Sequence, residues 1–310
     1  MDGLRRPEAE LLGLLEKTSR TFALSIPPLP EPTRREVTVA YLLFRIADTF
    51  EDAAHFPPDA RIGALNDFRD LLRNPSPVES ARLSAEWAGA GWATHPGYEE
   101  LLREIPFVLD SFGALSTGAV GAIRDPVVRS ADGMARFVAR TRDGRLDLTS
   151  LDDLKAYCYV VAGLVGEMLT ELFLLDRSEL VTVAPDLRRR AATFGEALQL
   201  VNILKDAAGD ASEGRSYLPA GVPMEEVFAL ARRDLGAAGE YIEALERVQA
   251  PRGILEFTAL PVELAWATLD RIERKGPGSK VSRPEVFSLV RRVRQALDKG
   301  DSVAAIHRRP

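Results

Sequence analysis

Apolar residues recur at spacings of three and four along most of this chain, and Ala, Leu, Glu and Arg are abundant between them. That period is the one at which an α-helix returns to the same face. Strand-like alternation bounded by turn signals is scarce. Clusters of Pro, Gly, Asp and Asn cut the pattern into helix-length pieces, at SIPPLPEP (25–32), HFPPD (55–59), RNPSP (73–77), HPG (95–97) and RDP (124–126). They continue at RDG (142–144), APD (184–186), LPAGVP (218–223), QAPRG (249–253) and KGPGS (275–279). The pattern predicts ten or more helices with no long linker and no internal repeat. The expectation is one all-α domain covering residues 1–310.

Within two of these pieces the polar residues fall on narrow lines. In segment 37–53, Tyr41, Arg45, Asp48 and Asp52 are offset by 0, 4, 7 and 11 positions. At about 100° per residue that line is under a quarter-turn wide. In 196–210, Gln199, Asn202, Asp206 and Asp210 sit at offsets 0, 3, 7 and 11 and make a second such line. The two D-x-x-x-D pairs lie 158 positions apart (206 − 48). Like charges at i, i+4 repel by a few tenths of a kcal/mol in an isolated helix, and a cation reverses the sign. Carboxylate pairs suit Mg²⁺, which takes one or two protein oxygens and keeps sites for water and phosphate. The ordinary alternative is a pair of solvated acidic faces. Two matched lines, each in a segment whose other faces are apolar, weigh against it. If the two helices face each other, four carboxylates converge on one cavity.

Composition narrows the partners. Formal net charge is −6 and the isoelectric point is near 5.4, which disfavours a nucleic-acid partner. One cysteine, Cys158, excludes an internal disulfide and reads as a small buried residue, and three scattered histidines give no zinc pattern. MDGLRRPEAE lacks the apolar core of a signal peptide. The most apolar run, YCYVVAGLVG (157–166), is interrupted by Glu167 and reads as too short to span a bilayer. A cytoplasmic protein with no obligate protein partner is the expectation. Ala162, Gly163 and Gly166 in that run remove bulk from a helix, either for close helix packing or to leave room for a ligand chain.

Five blocks, in order, resemble the squalene/phytoene synthase family, from about Leu11 to about Val293. TSRTFALSIPPLP (18–30) resembles its S-R-[ST]-F opening, and AYLLFRIADTFEDA (40–53) its first aspartate-rich motif. YCYVVAGLVGEMLTELF (157–173) resembles the Y-C-x-x-V-A-G-x-V-G block of the squalene branch. LQLVNILKDAAGDASEGRSYLP (198–219) resembles the second aspartate-rich motif with its G-R-x-Y-L-P tail, and FTALPVELAWATL (257–269) a C-terminal block. The mixture is closest to the bacterial squalene-forming members.

The resemblance implies the isoprenoid-synthase all-α fold, with a central cavity lined by two aspartate-rich helices. It implies Mg²⁺-dependent (Mn²⁺ as a substitute) head-to-head condensation of two farnesyl diphosphates to presqualene diphosphate, followed by NADPH-dependent reduction. The alternatives within the family stop at presqualene diphosphate, dehydrosqualene or phytoene, or are non-catalytic assembly factors. By resemblance, Asp48, Glu51, Asp52, Asp206 and Asp210 hold metal. Tyr41, Tyr157, Arg45 and Lys205 serve the reaction, through aromatic faces toward a cation and positive charges toward phosphate. Ser19, Arg20, Thr21, Phe22, Gln199, Asn202 and Arg215 contact substrate. Lys280 and Arg283 in GSKVSRPEV meet the cofactor's phosphates. Each of these also has an ordinary reading: Ser19 and Thr21 as helix caps, the tyrosines as core, the lone cations as surface charge. Gly209 and Lys205 depart from the family's frequent acid and Arg. A grease-like substrate and product imply contact with the inner membrane face.

Overall fold

The computed structural model describes the chain apart from residues 1–4, 20, 143–144, 147, 176, 213–216, 305 and 309–310, with the backbone alone at 5–6, 142, 145, 208, 210–212 and 308. Its contacts separate into two compact units: residues 1–27 with 31–140, and residues 28–30 with 141–310.

The first unit holds α1 (Arg5–Thr18), α2 (Phe22–Ser25), α3 (Thr33–Glu51), α4 (Pro58–Arg73), α5 (Pro77–Gly89), α6 (Pro96–Arg103), α7 (Ile105–Gly113) and α8 (Thr117–Val138). Its starts follow from capping chemistry. Ser76 and Ser116 accept from the backbone N–H three residues on, and prolines occupy the first turn of α4, α5, α6 and α7. Helix α3 is the centre, packed by α1, α4, α6, α7 and α8. Leu42, Leu43, Ile46, Ala47 and Phe50 are fully buried on it. The Phe50 ring meets Trp87 and Trp92 at centroid distances of 4.7 and 5.3 Å. RDP at 124–126 does not break the chain, since α8 runs through Pro126. The proline is buried in that long helix, whose packing against α4 outweighs one lost backbone bond.

The second unit holds a two-residue antiparallel ladder, β1 (Thr141–Arg142) with β2 (Arg145–Leu146), which the all-helical reading did not include. Then follow α9 (Leu151–Cys158), a π-helical turn (Tyr159–Gly163), α10 (Leu164–Leu174), α11 (Ala184–Ser212), α12 (Met224–Arg247), α13 (Arg252–Lys275) and α14 (Arg283–Lys299). Helix α11 is the hub, packed by α12, α10, the π turn and α13. A Cβ on Gly166 would lie 1.9 Å from the Ala191 carbonyl oxygen, and one on Gly195 would lie 2.0 Å from that of Ala162. The two glycines let the backbones cross in contact. Of the two readings of VAGLVG, close helix packing therefore holds at Gly166.

The apolar run is also longer than its sequence suggested. Residues Leu151–Leu174 form one continuous helical stretch, and it is long and apolar enough to cross a membrane by length and composition. In this structure 61% of its most apolar window is buried in the protein. Cys158 is fully buried within it, and burial pushes its thiol well above the usual range.

Candidate active site

On α3 the structure separates the line read from the sequence from everything around it. Between Glu36 and Ala53 every residue is buried except Tyr41, Arg45, Asp48 and Asp52. A solvated acidic face would be open over half the helix. This is one polar strip in a buried helix.

The strip is hydrogen-bonded along its length. The Tyr41 hydroxyl donates to the Thr18 carbonyl at 2.8 Å and accepts from Arg45 Nε at 3.2 Å. Arg45 Nη1 lies 3.3 Å from Asp48 Oδ2. The guanidinium also lies over the rings of Tyr41 and Tyr98, at 5.6 and 5.3 Å from their centroids. Burial opposes the Arg45 charge, but Asp48 and the two tyrosines outweigh it and hold the group cationic. Burial pushes the Asp48 carboxyl up to about 6; Arg45 opposes the shift and Asp52 adds to it. Glu51 is buried, hydrogen-bonded to Asp52, and shifted well upward by burial and by Asp52. It lies off the open strip, and Asp52 caps the end of α3 in the open.

The S-R-[ST]-F segment reaches this strip through aromatic contact. Phe22 packs on Tyr41 at 5.4 Å, tilted. Ser19 accepts from the Phe22 N–H at 2.9 Å, so its hydroxyl does cap α2. Thr21 is exposed and makes no side-chain cap. Arg20 lies outside the described residues. Tyr98 on α6 was not read from the sequence. HPGYEE carries no signal for it, because only the fold brings α6 beside α3.

In the second unit the α11 line is likewise the open one. From Phe194 to Asp206, the residues that are not buried are Leu198, Gln199, Asn202, Lys205 and Asp206. Lys205 Nζ donates to Asn202 Oδ1 at 3.1 Å and lies 3.2 Å from Asp206 Oδ2. The backbone of Asp210 continues the helix; its side chain and all of Arg215 lie outside the described residues. Tyr157 is buried and stacks on Tyr217 at 5.3 Å, joining the Y-C-x-x-V-A-G block to the Y-L-P tail. The basic turn joins α11 too: Gly278 N–H donates to the Lys205 carbonyl at 2.9 Å. Arg271 Nη1 donates to the Lys280 carbonyl in the same turn, also at 2.9 Å. Lys280 and Arg283 are exposed there.

One buried acid in this unit has no counterpart in the sequence reading. Glu196 is 8% exposed, and burial, with Asp234 next, pushes its carboxyl up to about 6; Lys155 opposes this. Its Oε1 lies 3.1 Å from where a Gly163 Cβ would stand, against the π turn. The Tyr159 hydroxyl of that turn donates to Glu167 at 3.1 Å.

Comparison with known proteins places this arrangement. Residues 15–222 match the model of the squalene/phytoene synthase family. A squalene synthase of Botryococcus braunii is 32% identical over 207 residues, covering 65% of this chain and 39% of that protein. Squalene synthase of Mus musculus is 31% identical over 258 residues (83% and 54%), and that of Schizosaccharomyces pombe 28% over 317 (94% and 63%). These relatives are eukaryotic, where the motif mixture pointed to bacterial members. This chain spans less than two thirds of the length of each. The solved structure of TcSQS in complex with the ligand E5700 superposes with a TM-score of 0.73 at 24% identity, covering 98% of this chain and 92% of that one. A dehydrosqualene synthase structure gives 0.59 at 22% identity, covering 95% and 98%. The fold is thus the all-α isoprenoid-synthase fold. With five motifs in order, that fold and a family match over two thirds of its length, the chain belongs to the squalene/phytoene synthase family.

Proposed function

We propose that the protein is a squalene synthase, with both units serving one synthase domain. It joins two farnesyl diphosphates into presqualene diphosphate, releasing one diphosphate and one proton, and a hydride from NADPH then displaces the second diphosphate, leaving NADP⁺. The observation that carries this reading is the polar strip Tyr41–Arg45–Asp48–Asp52, the open line in the otherwise buried stretch from Glu36 to Ala53. Such a strip gives an anionic head group one place to meet α3.

The residues fit a divalent cation. Asp48, Glu51 and Asp52 offer only hard oxygen donors, and burial raises the proton affinity of Asp48 and Glu51 even against the opposing charges of Arg45 and Arg61. Among the described residues no three His, Cys, Asp or Glu side chains already form a cation cage. Mg²⁺ takes one or two protein carboxylates and completes its shell with water and phosphate oxygens. Asp48 and Asp52, with Glu51 behind them, and Asp206 with Asp210 would hold the ions. Bound there, Mg²⁺ supplies Lewis-acid stabilisation of the departing diphosphate.

The protein's own groups do the rest. Arg45, fixed by two tyrosine rings, and Lys205, fixed by Asn202 and Asp206, present positive charge to phosphate oxygens. The Tyr41 hydroxyl is bonded on both sides, and its ring, on the open strip, can shelter an allylic cation. Tyr157, Gln199, Asn202, Ser19, Thr21, Phe22 and the undescribed Arg20 and Arg215 shape the substrate site. Lys280 and Arg283 receive the phosphates of NADPH.

The test is incubation with farnesyl diphosphate and Mg²⁺, with and without NADPH, and mass spectrometry of the extract. Squalene formed only with NADPH supports both half-reactions. Dehydrosqualene or presqualene diphosphate despite NADPH would remove the reductive step and leave the condensation. No turnover, with geranylgeranyl diphosphate also inert, would favour a non-catalytic assembly role.

A further inference from the structure

Residues 270–299, from the end of α13 through α14, carry nine basic and four acidic side chains, a balance of +5 in a chain of −6. The remainder is therefore −11 (−6 − 5). The fold sharpens this contrast. All four acids are engaged: Asp270 and Glu273 by Arg232, Glu285 by Arg271, Asp298 by Arg252. Arg294 is taken by Glu256. Among the described residues Arg274, Lys275, Lys280, Arg283, Arg291 and Lys299 are all exposed and have no ion-pair partner. What projects from this face is uncompensated positive charge.

A large apolar side chain stands among those charges. Phe287 is 66% exposed, while α14 packs on the protein through Leu289, Val293 and Ala296 on another face. Arg283, Phe287 and Arg291 are spaced i, i+4, i+8, so one line about 80° wide reads Arg-Phe-Arg. The helix is rigidly started, by a Ser282–Glu285 capping box, and stopped, by Gly300 in the left-handed region at φ 69°. The phenylalanine is thus held outward and does not contribute to the core.

We propose that this face docks on the surface of an anionic phospholipid bilayer, with Phe287 entering the headgroup–acyl boundary and Arg291 beside it meeting lipid phosphates. Two features select this occupant. The charge is complementary to anionic headgroups, and a ring between cations gains most where water meets hydrocarbon. The rest of the chain sums to −11 and does not itself attract such a surface. The inference does not rest on the proposed chemistry, and its test has no catalytic readout.

The full chain would be sedimented with vesicles of phosphatidylcholine alone or mixed with phosphatidylglycerol. Binding to the mixed vesicles only, weakened by salt, is expected. Phe287→Ser should weaken it roughly tenfold. Arg291→Glu should weaken it by about fivefold or more. Both positions are exposed, so melting curves should not move. In F287W the new indole should be quenched by brominated acyl chains. Equal binding to neutral and anionic vesicles, no binding to either, or undiminished binding by Phe287→Ser would overturn the proposal. So would tight binding to a soluble polyanion with F287W unquenched on vesicles, which would point to an acidic protein partner.

Discussion

Gly278 donates its backbone N–H to the carbonyl oxygen of Lys205 at 2.9 Å, and this bond joins the basic turn before α14 to the acidic helix α11. The two segments are more than seventy positions apart in sequence (278 − 205 = 73). The bond puts Lys280 and Arg283 on a turn anchored one residue from Asp206. Two motifs that resembled separate parts of a family pattern are one assembly.

That relationship separates two uses of the turn. With Lys280 and Arg283 both changed to Ala, the KM for NADPH should rise about tenfold or more, from loss of charge-assisted contacts. Formation of presqualene diphosphate without NADPH should stay near wild type. A parallel fall in both half-reactions would mean that the turn supports α11 and does not receive the cofactor.

The strip on α3 predicts a graded metal response. Asp48→Asn and Asp206→Asn should each lower turnover by about a hundredfold or more while leaving the circular dichroism spectrum intact. Asp52→Asn, at the open end of the strip, should instead raise the Mg²⁺ concentration needed for half-maximal rate. Rates measured across a Mg²⁺ titration distinguish these outcomes. Unchanged rates in the Asp48 variant would refute its role.

The crossing of α10 and α11 makes a stability prediction of opposite signs. Gly166→Ala and Gly195→Ala each place a methyl about 2 Å from a backbone oxygen, and the facing atom cannot rotate away. Each should cost at least about 3 kcal/mol. Gly236→Ala on α12 meets nothing within 4 Å and should gain about 0.5–1 kcal/mol by restricting the unfolded chain. Urea denaturation of the three variants checks both signs.

Glu196 predicts a pH dependence. Its folded carboxyl titrates near 6, above the usual 4.5, because it is buried beside Asp234 and Glu167 with only Lys155 opposing. The folded state therefore holds a proton that the unfolded state has released, and stability falls as pH rises from about 4.5 to 6. Glu196→Gln should be more stable than wild type above pH 6, by up to about 2 kcal/mol, and should lose that advantage below about pH 4.5. Thermal melting across this range gives the measurement. A constant difference at all pH values would show that Glu196 acts by packing alone.

Much of the candidate site was legible because helical period is a local property. The offsets of Tyr41, Arg45, Asp48 and Asp52 place them on one line wherever the helix sits, and α3 leaves that line open. The same holds for Gln199, Asn202 and Asp206. Cys158 as a buried residue followed from its apolar neighbours. Pro126 misled, because a proline breaks a helix only when packing does not hold both sides. Tyr98 and Glu196 gave no signal: one is a lone aromatic in a short helix, the other an acid in a pattern that also fits a surface.

The sequence by itself determined the helical class, the two polar lines and the family, since each is written in local spacing and in the order of motifs. The tertiary structure alone decided that Glu51 is buried while Asp52 is open, that Gly166 serves a backbone crossing, and that Arg45 is clamped by Tyr98. It also decided that Arg283 and Arg291 of α14 have no ion-pair partner among the described residues, on either side of an exposed Phe287. Those outcomes depend on which distant groups burial brings together, and a local pattern carries no record of them.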